Sequence, residues 1–462
     1  MWDSLVHYLF LPLLPVAFIA FIIHQIRHIF ANRRVPKSVA FFHPYCNAGG
    51  GGERVLWAAV RSVRAEHPDL TCYIYSGDTN ATKESILWKA HTFFGIELDG
   101  KKLEVVFLKS RRVVEPQLYP VLTLLLQTLA GGVLAFEALW KLTPEIMVDS
   151  MGYPMSTFVF KLFGATKTGA YIHYPTISTD MIDVVARRQA AFNNANTNTV
   201  FSNLKLVYYY LFAAFYRFLG LFVDVIMVNG TWTKGHITSI WHRQDVELVF
   251  PPVNTDKLRA LENNAEELFN DEINIVSVGQ IRPEKNHRLQ IAALKQFLDG
   301  LDRERYPQKI RLSITGGCRN QDDQDRVDAL KKYAEELGLT KSVDWQLNVK
   351  SDELERLLQN SLINLHTMRN EHFGIAVVEG LASGSIMVAH NSGGPAMDIV
   401  VPEGEVGFLA DTCEEYVARM NEILALDGEV RDNIRRKARV HVNKFSEAQF
   451  DHSWSAAFAK LV

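Results

Sequence analysis

The stretch Ser38-Val-Ala-Phe-Phe-His43, followed by Asn47-Ala-Gly-Gly-Gly-Gly-Glu-Arg54, decides the fold. The first run is apolar and β-like, the second is a glycine-rich loop, and a helical pattern begins at Val55. Strand, glycine loop and helix in this order form the first half of a nucleotide-binding type of βα unit. The loop lacks the lysine of a P-loop and the G-x-G-x-x-G ending of a dinucleotide site. We therefore expect the glycines to allow tight packing of the first helix or the approach of a phosphate.

Further apolar runs of strand length lie on both sides of the proline-rich segment Phe250-Pro-Pro-Val-Asn254. Those before it are Thr71–Tyr75, Val105–Leu108, Ile146–Asp149, Thr168–His173 and Val225–Val228. Those after it are Ile273–Val278, Ile310–Thr315, Val343–Trp345, Ile363–His366, Ile386–Ala389 and Gly407–Leu409, with helical stretches such as Asp325–Leu337 and Glu353–Gln359 between them. This alternation predicts two α/β domains, with a hinge at the proline-rich segment.

Length and composition agree with two folded domains. The chain has 462 residues, which is too long for one ordinary domain, and it is 48% hydrophobic and 22% charged with a formal net charge of −3. This balance argues against a disordered chain or one that coats nucleic acid. The four cysteines are widely scattered, so neither a disulfide framework nor a structural metal site is expected, and the thiols are predicted to be reduced.

The N-terminal stretch Leu5–Ile26 is almost continuously apolar and long enough to span a bilayer. Basic residues follow it rather than precede it, namely Arg27, Arg33, Arg34 and Lys37. This order is the reverse of a cleaved signal peptide and, by the positive-inside rule, predicts a membrane anchor with the rest of the chain in the cytosol. The alternative is a core helix.

Two further apolar segments, Leu118–Trp140 and Leu206–Val228, carry very few charges. The first follows a basic cluster formed by Lys101, Lys102, Lys109, Arg111 and Arg112. That order suggests a helix that lies in the membrane interface beside anionic headgroups, although a core helix of a large α/β domain explains it equally well. The aromatic residues of the second segment favour the core.

The sharpest chemical pattern is Glu371-His-Phe-Gly-Ile-Ala-Val-Val-Glu379, with two glutamates eight positions apart. If 373–381 is a helix, Glu371 lies at its N-terminal entrance and Glu379 about two turns further on. The N-terminus of a helix binds anions through its free amides. Carboxylates also accept hydrogen bonds from sugar and ribose hydroxyls, so the pattern suits a nucleotide sugar. Alone, it is equally typical of a solvated helix.

Two more loops follow predicted strands of the same half. Gly279-Gln-Ile-Arg282-Pro-Glu-Lys285 places two cations where an open α/β sheet presents its ligands, so Arg282 and Lys285 are candidates to clamp a diphosphate. His390-Asn-Ser-Gly-Gly-Pro395 is a glycine turn whose amides are able to approach a phosphate or a sugar. Three phosphate-compatible loops in one half indicate a nucleotide-sugar site.

In this order, Arg-Pro-x-Lys, Glu-x7-Glu, Ala-Ser-Gly and Ser-Gly-Gly-Pro resemble the retaining glycosyltransferases of the GT-B fold. A closer likeness covers nearly the whole chain. Phe42–Trp57, Tyr171-Ile-His-Tyr-Pro175 and the N-terminal apolar segment resemble the eukaryotic α-1,2-mannosyltransferases of the endoplasmic reticulum that act in asparagine-linked glycosylation. Those enzymes extend a dolichol-pyrophosphate-linked oligosaccharide from GDP-mannose.

The resemblance implies roles for individual residues. It places Glu371 against the donor mannose, Lys285 and Arg282 at the diphosphate, and His173 beside the reacting sugar. His173 alone would more often be a core or rim histidine. The implied donor contacts are Glu379 at the ribose, together with Phe373, Gly374, Ile375, Gly279, Gly49, Gly50, Gly51 and Gly52. The implied acceptor contacts are Asp149 and Tyr174, although Asp149 is also suited to capping a turn.

The resemblance also implies an architecture of two Rossmann-like domains that face each other across a cleft. We expect an anchor and basic flank at 1–34, an acceptor domain at 35–250 with the apolar segment near 118–140, and a donor-nucleotide domain at 251–440. The terminal helix within 441–462 is expected to pack back on the N-terminal domain.

The implied activity is transfer of mannose from GDP-mannose to dolichol-linked Man3GlcNAc2 at the cytosolic face of the endoplasmic reticulum, as the fourth and fifth mannoses. The resemblance implies that Arg282 and Lys285 take the place of the divalent metal that other transferases use, so no metal or other cofactor is expected. The expected partners are the two substrates, the membrane and other mannosyltransferases of the pathway, and no nucleic acid. The open alternatives are another lipid acceptor or a UDP-sugar donor, an epimerase, and a catalytically inactive membrane scaffold.

Overall fold

The computed structural model describes residues 13–188, 199–261, 267–269 and 272–462. These residues form two compact units. The first contains the described residues up to Asn229, together with Thr233–Val249 and Asp451–Val462. The second contains Gly230–Trp232 and Phe250–Phe450, so the main boundary falls at the start of the proline-rich segment.

The first unit is built on a parallel sheet of seven strands in the order β3-β2-β1-β4-β5-β6-β7. The strands are β1 Arg34–Phe42, β2 Thr71–Ser76, β3 Leu103–Phe107, β4 Thr143–Asp149, β5 Lys167–Ile172, β6 Val225–Val228 and β7 Val246–Leu248. The apolar runs read from the sequence overlap β1 to β6, because strands covered on both faces are almost continuously hydrophobic. The three-residue strand β7 is too short to give such a signal.

Helices cover this sheet and carry the connections between its strands. They are Leu13–Asn32, Gly51–Glu66, Lys83–Phe94, Thr123–Lys141, Pro154–Phe163, Thr179–Ala186, Thr199–Gly220 and Thr231–Trp241, and the last helix of the chain is Glu447–Phe458. The helix after the glycine loop begins at Gly51, not at Val55 as predicted. Its start is fixed by Glu53, whose carboxylate accepts a hydrogen bond from the Gly50 amide.

The apolar segments differ in how they are placed. Residues 1–12 of the predicted anchor lie outside the described residues, and the remainder belongs to the helix Leu13–Asn32. Within the described ranges, Thr123–Lys141 is the one helix long and apolar enough to cross a membrane, although 39% of its apolar window is buried against the protein. The segment Leu206–Val228 divides into the end of the helix Thr199–Gly220 and strand β6.

The second unit has a parallel sheet of six strands in the order β10-β9-β8-β11-β12-β13. The strands are β8 Glu272–Val278, β9 Lys309–Gly316, β10 Val343–Leu347, β11 Ile363–His366, β12 Ile386–His390 and β13 Phe408–Ala410. The helices are Thr255–Arg259, His287–Gly300, Gln321–Glu336, Ser351–Gln359, Ile375–Ser383, Cys413–Ala425 and Gly428–His441, with a π-helical turn at Pro395–Ile399. All four cysteines of the chain are free thiols.

The two sheets share one topology. Numbered from its own first strand, each runs 3-2-1-4-5-6, with one additional strand in the first unit. This is the doubly wound order in which the chain reverses direction across the sheet between strands 1 and 4, and ligands bind beyond the carboxyl ends of the strands at that switch point. The switch point lies between β1 and β4 in the first unit and between β8 and β11 in the second.

Candidate active site

An ion pair lies at the switch point of the second unit. Lys285 follows β8 and Glu371 follows β11, and the ammonium of Lys285 donates a hydrogen bond to Oε2 of Glu371. His366, the last residue of β11, contacts the same oxygen through Nε2 at 3.1 Å. The structure therefore brings together two of the predicted residues, Lys285 and Glu371, at the edge where a doubly wound sheet binds its ligand.

Glu371 is held in its ionised form. Burial of this side chain, which is 13% exposed, raises the pKa of the carboxyl. The hydrogen bond with His366 and the positive charge of Lys285 outweigh burial, so the pKa of Glu371 lies well below its ordinary value. At physiological pH the site therefore presents a buried carboxylate, which only accepts hydrogen bonds and so suits the hydroxyls of a sugar.

The loops that carry this pair are tied to each other by hydrogen bonds. The Thr367 hydroxyl donates to the carbonyl of Lys285 at 2.8 Å, and it accepts a hydrogen bond from Gln290 Nε2 at 2.9 Å. The loop after β12 supports Glu371 from the other side, because the Gly394 amide donates to the Glu371 carbonyl at 2.7 Å. That amide is consequently engaged within the protein rather than directed at a phosphate.

Gly393 allows this close approach. A Cβ atom at Gly393 would lie 2.3 Å from the carbonyl oxygen of Glu371, and the φ of +62° is in the left-handed region. Both observations require glycine. The glycine turn predicted to bind phosphate thus has a structural task in holding the backbone of Glu371.

The other predicted donor residues are placed as follows. Glu379 is half-buried in the helix Ile375–Ser383, which begins two residues later than predicted. Gly374 precedes that helix with a φ of +111°, and Ile375 is its first residue. Phe373 is a core residue, only 3% exposed, and packs against Phe445 with ring centroids 5.2 Å apart.

Gly279 and Arg282, the other two predicted residues of the diphosphate loop, differ in how they are placed relative to the side chain of Lys285. The aliphatic part of Lys285 lies over Gly279, where a Cβ would sit 3.5 Å from Lys285 Cδ. Arg282 is exposed, and its guanidinium forms an ion pair with no carboxylate of the described residues. The structure therefore does not join Arg282 to the Lys285 and Glu371 pair.

At the switch point of the first unit, His173 lies close to the glycine loop. A Cβ at Gly52 would be 3.7 Å from His173 Nε2, and the same nitrogen is 3.2 Å from the carbonyl oxygen of Ser150. The Asn229 side chain donates to the His173 carbonyl at 2.9 Å. Gly49 has a φ of +77°, so a left-handed residue begins the turn into the helix. Three strand ends thus converge on His173.

Below the glycine loop lies a buried polar network that the sequence did not reveal. His43 Nδ1 is 3.0 Å from the Ser150 hydroxyl and its Nε2 is 3.5 Å from Glu53 Oε1. Burial raises the pKa of Glu53, but the adjacent His43 imidazole and the hydrogen bond from the Gly50 amide together outweigh burial, so the pKa lies below its ordinary value. The network joins β1, the glycine loop and the end of β4.

The predicted acceptor residues differ in exposure. Asp149 is buried, and its Oδ1 accepts hydrogen bonds from the amides of Met151 and Gly152, both at 3.0 Å. Burial raises the pKa of Asp149 to about 6, despite those two amides. Tyr174 is 36% exposed. Asp149 therefore caps the turn after β4, which was the structural alternative for this residue.

His366, Glu53 and His43 are the site residues that sequence reasoning missed. Each was visible as a polar residue at the end of a predicted strand or inside the glycine run, and a polar side chain at the carboxyl end of a buried parallel strand is itself a signal. Which partner each would meet depends on the pairing of strands distant in sequence, and no local pattern gives that.

Comparison with known proteins identifies the family and the fold of the chain. The family described as "ALG11 mannosyltransferase N-terminus" matches residues 36–241, and "Glycosyl transferases group 1" matches residues 259–441. The solved sucrose-phosphate synthase of Thermosynechococcus elongatus has the same fold, with a TM-score of 0.66 at 15% identity, covering 92% of this chain and 98% of that one.

Two close relatives carry the name GDP-Man:Man(3)GlcNAc(2)-PP-Dol alpha-1,2-mannosyltransferase. The Caenorhabditis elegans protein is 48% identical over 93% of this chain and 92% of its own length. The Homo sapiens protein is 44% identical over 93% of this chain and 88% of its own length.

The two Rossmann-like units, the match to the group 1 glycosyl transferases and the similarity to the named relatives define a glycosyltransferase of the GT-B fold, as the resemblance of the sequence implied. Within that class, the chain belongs to the ALG11 mannosyltransferase family.

Proposed function

We propose that this chain transfers mannose from GDP-mannose, in α-1,2 linkage, to dolichol-pyrophosphate-linked Man3GlcNAc2, as the names of its relatives describe for them. The observation that carries the proposal is the Lys285 and Glu371 pair at the switch point of the second unit. A cation and an ionised carboxylate at one ligand edge match the two ends of a nucleotide sugar, namely its diphosphate and its sugar hydroxyls.

In the proposed donor complex, Glu371 accepts hydrogen bonds from the mannose and Glu379 from the ribose. Lys285, together with the exposed Arg282, neutralises the diphosphate. The negative charge on the diphosphate grows as the glycosidic bond breaks, so fixed cations at this position stabilise the transition state more than the ground state. Gly279 gives the diphosphate room beside Lys285, and the amides at the start of the helix Ile375–Ser383 add donors.

We assign the acceptor to the first unit. His173 lies beside the glycine loop with its Nε2 next to Gly52, so this loop and the histidine together bound the space for the reacting sugar. Asp149 shapes the turn that holds Ser150 under His173, and the partly exposed Tyr174 offers an aromatic face and a hydroxyl to the acceptor glycan.

The proposed reaction retains the configuration at the anomeric carbon. A double displacement would need a carboxylate nucleophile at that carbon and a second acid/base carboxylate. Glu371 is instead held through Oε2 by two donors and is assigned to the sugar hydroxyls. In the step that we favour, the bond from the anomeric carbon to the phosphate oxygen breaks while the acceptor hydroxyl bonds to that carbon on the same face. The hydroxyl proton passes to the departing phosphate.

The experiment is a transfer assay with the detergent-purified full chain, GDP-mannose and a phytanyl-pyrophosphate-linked trimannosyl chitobiose. We expect extension of the glycan by the intact chain. A Glu371→Ala variant should be slower by at least about 100-fold, because a buried, preorganised group at the reacting sugar is lost. Glu405→Gln, an exposed carboxylate paired with Lys437, serves as the matched control and should transfer normally. No extension by the intact chain, or full extension by Glu371→Ala, would contradict the proposal.

The proposed reaction also needs no divalent metal, because Lys285 and Arg282 supply the positive charge at the diphosphate. Transfer should therefore proceed at an unchanged rate in the presence of EDTA. Loss of transfer in EDTA, restored by added Mn²⁺ or Mg²⁺, would contradict this part of the proposal.

We further propose that the chain is attached to the endoplasmic reticulum membrane with both units in the cytosol, where it works beside other mannosyltransferases. Exposed apolar side chains on two helices of the first unit support attachment, including Phe18 and Phe21 on one and Val133 and Trp140 on the other. Arg33 lies over the Trp140 ring at 5.1 Å, as expected for a basic and aromatic pair at a headgroup layer. Co-flotation with vesicles that contain anionic lipid tests attachment, and recovery of the chain only in the unbound fraction would refute it.

A further inference from the structure

Both hydrogen bonds to the Glu371 carboxylate converge on one of its two oxygens. Lys285 and His366 both contact Oε2, and Oε1 accepts no hydrogen bond from the described residues. Two donors on a single oxygen fix the rotation of the carboxylate and leave the other oxygen for a ligand. The resemblance that predicted Lys285 and Glu371 gave no role to His366.

His366 is itself rigidly placed. It is 4% exposed, it ends β11, and its carbonyl accepts a hydrogen bond from the Tyr416 hydroxyl at 2.8 Å. A carboxylate only accepts hydrogen bonds, so the Nε2 atom of His366 must carry a proton in order to contact Glu371. The other ring nitrogen, Nδ1, is buried without a hydrogen-bond partner, so the contact with Glu371 is the one hydrogen bond of this imidazole among the described residues.

The two donors differ in what else is able to attract them. Lys285 is a flexible ammonium with three protons, and a bound diphosphate carries more negative charge than one carboxylate, so the donor substrate competes for it. His366 is buried at a strand end, and its Nε2 already contacts Glu371, so it is not free to turn as Lys285 is. When Lys285 turns towards the phosphates, His366 is the donor that still holds Oε2.

We propose that His366 is a positioning residue for transfer: it fixes the Glu371 carboxylate while Lys285 serves the donor diphosphate, so that Oε1 remains aimed at the hydroxyls of the donor sugar. This inference rests on the proposed function of the site. It assigns two tasks to two residues: Lys285 binds the phosphates, and His366 orients the carboxylate.

Two substitutions at one position test the proposal. In His366→Gln the amide nitrogen lies near the place of Nε2 and still reaches Glu371, whereas in His366→Asn it lies near the place of Nδ1 and does not. We expect His366→Asn to lower kcat by about 10- to 100-fold, the size of one hydrogen bond to a charged group, and His366→Gln to restore most of it. GDP has no sugar, so its affinity, measured by calorimetry, should be the same for both variants and the wild-type chain.

Three other results would contradict the positioning role of His366 or the proposed function. If His366→Asn transfers as fast as the wild-type chain, His366 does not position Glu371. If both variants lose GDP affinity and thermal stability equally, its role is structural and the proposal fails. If the wild-type chain itself transfers no mannose, the proposed function fails and this inference with it. A working wild-type chain with an unimpaired His366→Asn variant removes only the inference.

Discussion

In the second unit an ammonium and a carboxylate meet at the switch point, whereas in the first unit the corresponding place holds a histidine above a closed network of His43, Glu53 and Ser150. The strand order around the two places is the same, and both are bordered by glycine turns. The charged groups of the second site have capacity left for a ligand, because Arg282 is exposed and one oxygen of Glu371 accepts no hydrogen bond from the described residues. In the first network, Glu53 is engaged by His43 and by the Gly50 amide.

The difference shows that the fold determines where a site lies and the side chains determine what it does. In both units the same strand order places loops at the edge of the sheet where ligands bind. The second edge presents a cation and a carboxylate, which a nucleotide diphosphate and a sugar require. At the first edge, Glu53 lies against His43 and Asp78 is paired with Arg111, so these charges are engaged within the protein. The following changes test this division, starting with the largest expected effect.

Lys285→Met removes the cation from the second site. We expect a fall in kcat/KM of about 100-fold or more, because the diphosphate loses a preorganised positive charge, and a weaker affinity for GDP. Lys167→Met, which removes one exposed cation from the first unit, is the matched control. Its kcat/KM should stay within about twofold of the wild-type value, since the effect of a single surface charge is small. Equal losses in both variants would break the comparison between the two units.

The pH dependence of Lys285→Met sharpens the same point. In the wild-type chain the His366 contact and the Lys285 charge hold the pKa of Glu371 below its ordinary value, against burial. Without Lys285, burial is opposed less, the pKa of Glu371 rises, and the carboxylate is protonated at a higher pH. The acid limb of the kcat/KM profile, which reports the pKa values of the free enzyme, should therefore move to higher pH in Lys285→Met. An unmoved acid limb would mean that Lys285 does not control the ionisation of Glu371.

The sequence was sufficient for the parts of the fold that depend on local pattern. Buried parallel strands are continuous apolar runs, so β1 to β6 and β8 to β13 were visible, and Lys285 and Glu371 were recognisable from the loops that follow them. The features that the sequence did not predict depend on side-chain contacts, on strand length or on contacts between distant residues. The helix start at Gly51 is set by a side chain that caps it, and β7 is too short to show a pattern. His366 gains its role only when β11 lies beside β8.

Glycine substitutions test how closely each edge is packed. At Gly393 a Cβ would lie 2.3 Å from the Glu371 carbonyl oxygen and the φ is +62°, so Gly393→Ala should cost about 2 to 3 kcal/mol of stability from strain and displaced backbone. At Gly52 a Cβ would meet His173 at 3.7 Å, an ordinary contact inside a helix. Gly52→Ala should change stability by less than about 1 kcal/mol and in the favourable direction.

Hydrogen exchange of the two variants gives the readout. Peptides from β11 and β12 should exchange faster in Gly393→Ala, and peptides from β1 and β4 should be unchanged in Gly52→Ala. If Gly393→Ala is as protected as the wild-type chain, the glycine turn is not needed to hold Glu371. It would then be available to a phosphate, as the sequence first suggested.

Asp149 offers the most direct contrast in electrostatics between the two units. Glu371 has a lowered pKa, whereas burial raises the pKa of Asp149 to about 6. A carboxyl whose folded pKa is raised favours the folded state at low pH, and that advantage is lost as the pH rises from about 4 to about 6.

The substitution Asp149→Asn tests this contrast. The side-chain amide of asparagine does not titrate. Its oxygen is still able to accept hydrogen bonds from the backbone amides of Met151 and Gly152. The first unit of Asp149→Asn should therefore gain up to about 2 kcal/mol relative to wild type between pH 4 and pH 7. Hydrogen exchange in β4 and β5 measures this gain, with β11 and β12 as the internal reference. A difference between the two chains that does not vary with pH would show that Asp149 is ionised at no cost, and the electrostatic contrast between the two edges would disappear.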